Sequence, residues 1–257
     1  MSTGKTTRTF GYLILLIGLV IALAFSGLAL WVNLEGLAFW GYPESVSYDP
    51  GLTTQAEISR LKCPVLLTDG EKGVMRITVS NPNNFTITSH MEAHISKVGE
   101  LENMLRRTRT ATLKPGEETE FRWQITTENT IFDHMILGRV FLRLTQGHAP
   151  SRTKHCGTIS FNLWGLNSKQ IITLVSILSV GLILLGALIL WRTHARDTSS
   201  KKLSFRISLV IGFLSIISLV CSLLSIWVVI LIALALIPII IFSGFSYHVG
   251  RMEGKYN

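Results

Sequence analysis

The sequence predicts an α+β membrane protein, with four transmembrane helices and one antiparallel β-sandwich outside the cytoplasm. Hydrophobic residues make up 48% of the 257 residues, charged residues only 16%, and the mean hydropathy is +0.42. A soluble domain carries about 25% charged residues. Long apolar runs lie near both ends of the chain, and the segment between them alternates with the period of β-strands.

The apolar runs divide into four predicted transmembrane helices. The first covers residues 11–32 and the second covers residues 170–191. Each is long enough to cross about 30 Å of hydrocarbon at roughly 1.5 Å per residue. The last run holds no charged residue and is long enough for two helices. We place these helices at 207–224 and 226–247, with a turn at Ser222–Ser225.

Basic residues cluster beside these runs, in the stretches 1–10, 192–206 and 248–257. Residues 33–169 are nearly neutral, with 15 basic and 14 acidic side chains. The positive-inside rule therefore predicts that both termini are cytoplasmic and that residues 33–169 are extracytoplasmic. Because both ends of the last run prefer the cytoplasm, we expect two crossings there and not a single crossing with a re-entrant segment. This distribution excludes nucleic acid as the partner of the net +8 charge.

The expected location is a plasma or inner membrane, where the chain is a multi-pass integral protein. The basic loop 192–206 is expected to contact anionic lipid or to act only as a stop-transfer loop. The first run also has signal-peptide features, since Lys5 and Arg8 precede it and Ala22-Leu23-Ala24 resembles a cleavage site. It exceeds the about 7–15 residues of an ordinary signal-peptide core, so we expect an uncleaved anchor.

The segment between the first two helices is predicted to be rich in β-strands. Residues 33–60 form a juxtamembrane lead-in, in which Phe39–Pro43 reads as an interfacial aromatic cluster. Residues 61–167 hold seven or so short strands separated by turn signals, which is typical of a sandwich. The predicted strands are 74–79, 85–97, 108–113, 120–126, 136–145 and 158–163.

Two turn motifs carry a resemblance to a known family. The sequence Val-Ser-Asn-Pro-Asn at 79–83 ends one strand, and Leu-Lys-Pro-Gly-Glu at 113–117 precedes an alternating strand. With these motifs, residues 61–164 resemble bacterial and archaeal Ig-like domains of the cell-adhesion-related type. The resemblance implies an Ig-like sandwich that serves as a binding or spacer module, and it transfers no catalytic residue.

Two of the three cysteines bracket the predicted sandwich. We expect Cys63 and Cys156 to form a disulfide, which would close a loop of 93 residues. In the chain-entropy treatment such a bridge stabilises by about 4–5 kcal/mol. It implies an oxidising compartment, and the alternative is a pair of reduced buried thiols. Cys221 reads as a small apolar residue of the third helix.

A basic run in the outer segment supplies the candidate interaction residues Arg106, Arg107 and Arg109. Such a run suits an acidic partner or a lipid headgroup. The alternative is a solvated strand edge whose charges discourage aggregation.

The sequence predicts no catalytic residues, no cofactor and no metal site. His90 and His94 share one face of a strand, but no cysteine or carboxylate stands at a ligand spacing beside them. The glutamates at 117, 118 and 120 read as a solvated rim. Asn84 begins a glycosylation sequon, whose use depends on a eukaryotic secretory system.

The predicted helices hold no Asp, Glu, Lys, Arg or His, which argues against an ion pump or a proton-coupled transporter. Small residues recur there at four-residue intervals, a spacing that allows close helix contact. They either pack the chain's own helices or dock a partner. The residues are Gly18, Ala22 and Ser26 on the first helix, and Ser208 and Gly212 on the third.

These features favour a non-catalytic accessory or assembly subunit of a larger membrane complex, whose sandwich is the docking surface. The partners would be other membrane protein subunits and the lipid bilayer. The alternative is a membrane-anchored sensor or adhesion protein that binds an external ligand. A third hypothesis is a membrane enzyme, for which Trp40, His134 and His155 are the nearest candidates.

Overall fold

A computed structural model describes residues 3–40, 56–97, 104–143, 152–161, 165–194 and 199–253. The chain forms two compact units. One contains Met1–Leu30 and Gln170–Asn257, and the other contains Trp31–Lys169. The first is helical, and the second is built mainly from β-strands.

Within the described residues, four helices are long and apolar enough to cross a membrane, judged by length and composition. They are α1 (Thr3–Trp40), α2 (Ser168–His194), α3 (Ser199–Leu223) and α4 (Trp227–Glu253). Helix α1 continues past the predicted end at residue 32, because its last turns pack on a sheet as described below. Helix α3 begins inside the predicted basic loop, whose residues 195–198 lie outside the described residues.

Helices α3 and α4 meet at the turn that the sequence predicts. The amide of Ile226 donates to the Cys221 carbonyl at 2.9 Å, and the amide of Ser225 donates to the Ser222 carbonyl at 3.1 Å. This pair of bonds is the Schellman pattern, and it requires a left-handed residue after the helix. Ser225 takes that conformation, with φ of 60°.

The helical unit has an apolar core and an apolar exterior. Its core side chains come from all four helices and include Leu15, Ile183, Ile211 and Ile237. Many outward residues are also large and apolar. Exposed examples are Leu16, Val20, Ile177, Leu184, Phe213 and Phe242.

The second unit contains eight described strands in two sheets. The strands are β1 (Glu57–Lys62), β2 (Leu66–Leu67), β3 (Lys72–Ser80), β4 (Ile87–Ile95), β5 (Leu105–Leu113), β6 (Glu118–Thr126), β7 (Met135–Arg143) and β8 (Arg152–Ser160). One sheet has the order β1-β3-β6, and the other has the order β2-β8-β7-β4-β5. The prediction of a purely antiparallel sandwich is wrong in one detail, since the two-residue β2 pairs parallel with β8.

The two sheets share one apolar core. Alternate residues of β3 (Met75, Ile77 and Val79) and of β4 (Met91, Ala93 and Ile95) are fully buried in it. Successive side chains of a strand point to opposite faces, so alternate residues line one face. Trp123 on β6 is also part of this core.

A buried asparagine explains the first turn motif. The Asn81 side-chain amide donates to the carbonyls of Phe85 at 2.8 Å and Leu113 at 3.0 Å. Its side-chain oxygen accepts from the Asn83 amide at 3.0 Å. Asn81 therefore joins the end of β3 to the end of β5, which is a structural role.

The predicted disulfide between Cys63 and Cys156 is confirmed, with the two Cα atoms 5.9 Å apart. Cys63 follows β1 in one sheet and Cys156 lies on β8 in the other, so the bridge links the two sheets. Cys221 is a free, half-buried thiol on α3.

Candidate functional site

The last turns of α1 cover the outer face of the five-stranded sheet. Val32 lies against Gly157 of β8, where an added Cβ would meet the Val32 carbonyl oxygen at 2.5 Å. Gly36 lies over His155, with its Cβ position 3.6 Å from the imidazole. Gly157 therefore allows the helix to approach the strand closely, whereas a Cβ at Gly36 would make only ordinary van der Waals contacts.

This contact explains why β7 is buried on both faces. Val140 and Leu142 face the core between the sheets, whereas Leu137 and Phe141 are also buried on the face toward α1. A strand buried on both faces reads as a nearly continuous apolar run, and Met135–Leu142 is such a run.

Arg139 of β7 holds the C-terminal end of α1. Its Nη1 donates to the Trp40 carbonyl at 3.1 Å, and its guanidinium carbon lies 5.0 Å from the centroid of the Trp40 ring. The carbonyls at a helix C-terminus lack partners within the helix and carry negative partial charge. An arginine there satisfies one carbonyl and stabilises the helix dipole. Trp40 is buried in this contact. Gly41–Pro43 of the predicted interfacial cluster lie outside the described residues, so the cluster stays a prediction.

Glu71 caps the N-terminal end of α2, where a carboxylate accepts from a free backbone amide. The Ser168 amide lies 3.1 Å from Oε1 and 3.2 Å from Oε2 of Glu71, and the Thr68 amide donates to Oε2 at 3.0 Å. Burial alone raises the pKa of Glu71, but the hydrogen bonds from Thr68 and Ser168 outweigh it and hold the pKa below its ordinary value. Negative charge is favourable at a helix N-terminus.

His94 is a buried histidine on the same outer face. Its Nε2 lies 2.7 Å from Oε1 of Glu92, and its ring packs edge-on to Phe141 at 4.9 Å between centroids. Burial lowers the pKa of His94. Arg139 and Arg106 lower the pKa further, and Glu92 opposes them.

By register, His94 stands between these two arginines. Its partner on β7 is Arg139, and its partner on β5 is Arg106. Its Nδ1 is buried and has no hydrogen-bond partner among the residues that the structure describes. A continuous row of side chains thus joins the edge of the sheet to the end of α1.

The other histidines whose side chains the structure describes lie at separate places. His90 shares the outer face with His94, as predicted, and its Nδ1 contacts Oγ1 of Thr110 at 3.1 Å. His134 stacks on Trp31 at 5.3 Å, and burial lowers the pKa of His155. Within the described ranges, no three or more His, Cys, Asp or Glu side chains are placed to hold a metal ion.

The three predicted interaction residues lie on β5, which is an edge of the five-stranded sheet among the residues that the structure describes. Arg107 and Arg109 pair with Ala93 and Met91, so they share the core-facing side of the sheet. Arg106 is on the outer side. All three side chains are nevertheless exposed, which shows that β5 extends beyond the apolar core at these positions.

Two of the predicted helix-packing residues, Gly18 and Gly212, lie against a neighbouring helix. A Cβ at Gly18 would lie 2.9 Å from the Ser179 carbonyl oxygen and the Ile183 amide nitrogen, both on α2. Gly212 of α3 also packs near Ile183, at 3.2 Å from its Cγ2. Ala22 and Ser26 are fully buried, and Ser208 is half-buried.

Sequence reasoning missed Arg139, Glu71 and one tight helix contact. A Cβ at Gly186 of α2 would lie 2.7 Å from the Leu15 backbone nitrogen of α1. Gly186 stands seven residues after Ser179, a two-turn spacing that a search for four-residue intervals overlooks. The two charged residues had no local signal, because their helix-end partners are far away in the sequence.

Comparison with known proteins gives a weak likeness for the sheet-rich unit. No family model and no curated protein matches the chain. A CARDB domain from Pyrococcus furiosus, solved in complex with di-metal ions, is 11% identical over 42% of this chain and 88% of its own, with a TM-score of 0.33.

Two enzymes give likenesses of similar strength. A Paenibacillus cycloisomaltooligosaccharide glucanotransferase is 13% identical over 42% of this chain and 15% of its own, with a TM-score of 0.33. A Listeria innocua β-glucosidase is 15% identical over 41% and 16%, with a TM-score of 0.28. The resemblance to cell-adhesion-related domains is therefore a weak one at the level of fold.

Proposed function

We propose that the chain is a four-span membrane protein and a non-catalytic accessory subunit of a larger membrane complex. In this proposal both termini are cytoplasmic, residues 33–169 lie outside the cytoplasm, and residues 61–167 form an Ig-like sandwich. The sandwich is the docking surface for another membrane subunit. The exposed, basic edge strand β5 is the observation that carries the docking function.

Several features support the membrane arrangement. The four apolar helices have apolar exteriors as well as an apolar core, as lipid-facing helices do. The charged residues near the helix ends are mainly basic on the side assigned to the cytoplasm, such as Arg8, Arg192 and Arg206. The disulfide suits an oxidising compartment for the sheet-rich unit.

The arrangement of charges supports a docking role for this unit. Within the sheet-rich unit, Arg139 donates to the Trp40 carbonyl and Glu71 accepts from the Ser168 amide, so both charges have structural roles. Strand β5 differs, because it is exposed and carries arginine as its only charged residue type.

Native mass spectrometry of the protein, extracted mildly from its own membranes, tests the accessory role. We expect a partner at fixed stoichiometry. A lone monomer or homo-oligomer under mild conditions would contradict this role.

Glycosylation mapping tests the topology separately. Asn84 is exposed within its sequon. In a eukaryotic translation system with microsomes, we expect a glycan on the wild type and none on Asn84→Gln. Equal masses for the two would contradict an extracytoplasmic sandwich.

The sensor or adhesion role is a second candidate, and the continuity of α1 favours it. This helix runs without a break from its apolar segment to Trp40, where the row from Arg106 through His94 ends. A ligand at the sheet edge would then act on the last turn of α1. Thermal-shift screening of external ligands tests it, and flat melting curves would count against it.

A further inference from the structure

The edge strands of the two sheets differ in the features that keep an edge from pairing with another chain. Strand β2 has only two residues, and β1 carries a register shift between Ile58 and Arg60. Short strands and bulges are the usual means of keeping an edge from pairing with another chain. Strand β5 has neither, since its nine residues pair with β4 in an unbroken antiparallel register.

Charge is the remaining means of protection, and on β5 it has one sign. The strand carries Arg106, Arg107 and Arg109 and no acidic residue. Its counterpart β6, the regular edge of the other sheet, carries both signs, and Glu120 lies 2.5 Å from Arg122 within the strand. The charges on β5 therefore repel basic strands and attract acidic ones.

Pairing between two copies of β5 is disfavoured by the same residues. If two copies paired antiparallel about the middle of the strand, Arg109 would face its own copy. Directly opposed like charges destabilise strand pairing. The occupant that fits is consequently a different, acidic chain.

We propose that β5 is a docking strand for an extended acidic segment of a partner protein, which adds to the five-stranded sheet as a sixth, antiparallel strand. The proposal rests on the docking role proposed above and names its surface and the chemistry of the partner. Backbone hydrogen bonds along the open edge would supply affinity, and the arginines would select the sequence.

The positions of the arginines predict the partner's pattern. Arg107 and Arg109 lie on one side of the sheet, and Arg106 lies on the other. A partner strand that runs antiparallel to β5 faces Arg109 first, then Arg107 and then Arg106. One partner residue lies between those that face Arg109 and Arg107, and none lies between those that face Arg107 and Arg106. The matching segment therefore reads acid, any residue, acid, acid.

The test uses a synthetic nine-residue peptide of threonine and valine with glutamate at positions 5, 7 and 8, which face 109, 107 and 106. Its control carries lysine at the same positions. Binding to the full chain in nanodiscs is measured by fluorescence anisotropy at low salt. We expect the acidic peptide to bind, to weaken as salt screens the charges, and the lysine peptide not to bind. No binding of the acidic peptide would overturn the proposal.

Two double variants separate this edge from general electrostatics. Arg107→Glu/Arg109→Glu should weaken peptide binding about tenfold or more, from the loss of two exposed ion pairs and two new repulsions. The matched control Arg60→Glu/Arg76→Glu changes the net charge equally on exposed positions of the other sheet, and it should bind as the wild type does. Equal weakening in both variants would overturn the assignment to β5. Should the first variant misfold, Arg107→Gln/Arg109→Gln replaces it.

Hydrogen exchange on the wild type tests strand addition independently of any variant. A sixth strand must protect the β5 amides that point away from β4, so we expect slower exchange within residues 105–113 when the acidic peptide is bound. Saturable binding without this protection would mean side-chain attraction only, and it would overturn strand addition.

Native mass spectrometry of the same variants distinguishes the two proposals. A partner that is absent from Arg107→Glu/Arg109→Glu but still bound to the matched control supports both the accessory role and the docking strand. A partner that stays with both variants keeps the accessory role and refutes the docking strand. Absence of any partner from the wild type refutes the accessory role, and the peptide result then decides the docking strand alone.

Discussion

Removal of the disulfide should destabilise the sheet-rich unit strongly. The bridge between Cys63 and Cys156 spans 93 residues and joins the two sheets. In the chain-entropy treatment, a loop of this length restricts the unfolded chain by about 4.6 kcal/mol at 25 °C. At about 2.1 cal/mol/K per residue over the 139 residues of Trp31–Lys169, this free energy corresponds to a decrease in melting temperature of roughly 16 °C.

The assay compares Cys63→Ala/Cys156→Ala with wild type in the same detergent. Thermal unfolding is followed by near-ultraviolet circular dichroism, to which the buried Trp123 of the sandwich core contributes. Hydrogen exchange in peptides from β3 and β6 then assigns the loss to this unit. Cys221→Ala is the matched control, since it removes a thiol and leaves the bridge intact.

A free energy of unfolding of the double variant within about 1 kcal/mol of the wild-type value would refute this prediction, since such a change is typical of an ordinary substitution. The prediction also fails if Cys63 in the native wild type is alkylated without a reductant. A loss of stability in Cys221→Ala as large as in the double variant would show that the bridge is not the cause.

Three further predictions follow from the contacts. Arg139→Ala should lower the free energy of unfolding of the sheet-rich unit by about 1–3 kcal/mol, because the charged hydrogen bond to Trp40 is lost. It should also speed amide exchange in the last turn of α1, and unchanged exchange there would refute this prediction. The pKa of His94 is lowered in the folded state. Neutral His94 therefore contributes fully to the free energy of unfolding above the ordinary histidine pKa, and this contribution is lost as the pH falls through the lower folded pKa. His94→Gln should therefore flatten the stability profile on the acid side of pH 6.5, and an unchanged slope in urea titrations would contradict it. Gly18→Val should lower the melting temperature of the helical unit, because its Cβ would meet α2 backbone at 2.9 Å, whereas the control Gly27→Val has open space; equal melting of the two variants would contradict the contact.

Much of the fold was predictable because it depends on local pattern. Charge-free apolar runs marked the four long helices, and polar turns marked most of the strands. The pairing of Cys63 with Cys156 was predictable because the third cysteine lies within an apolar run. Each of these features can be recognised within a short window of sequence.

The extension of α1 to Trp40 was not predictable from hydropathy. The apolar run ends near residue 32, and the later turns are mixed in character. Their stability comes from packing on β7 and β8, where Gly157 allows Val32 to approach closely. Val32 and Gly157 lie 125 positions apart in the chain, so no local pattern records the contact.

The candidate site was half predictable for the same reason. The sequence alone determined that Arg106, Arg107 and Arg109 form a basic run, because neighbouring residues are visible side by side. Only the tertiary structure decided that this run lies on an edge of the sheet in the described part of the chain, because strand order is set by contacts between distant segments. It also decided that Arg139 and Glu71 hold helix ends, since a charge acquires that role only when folding brings it to an unsatisfied backbone group.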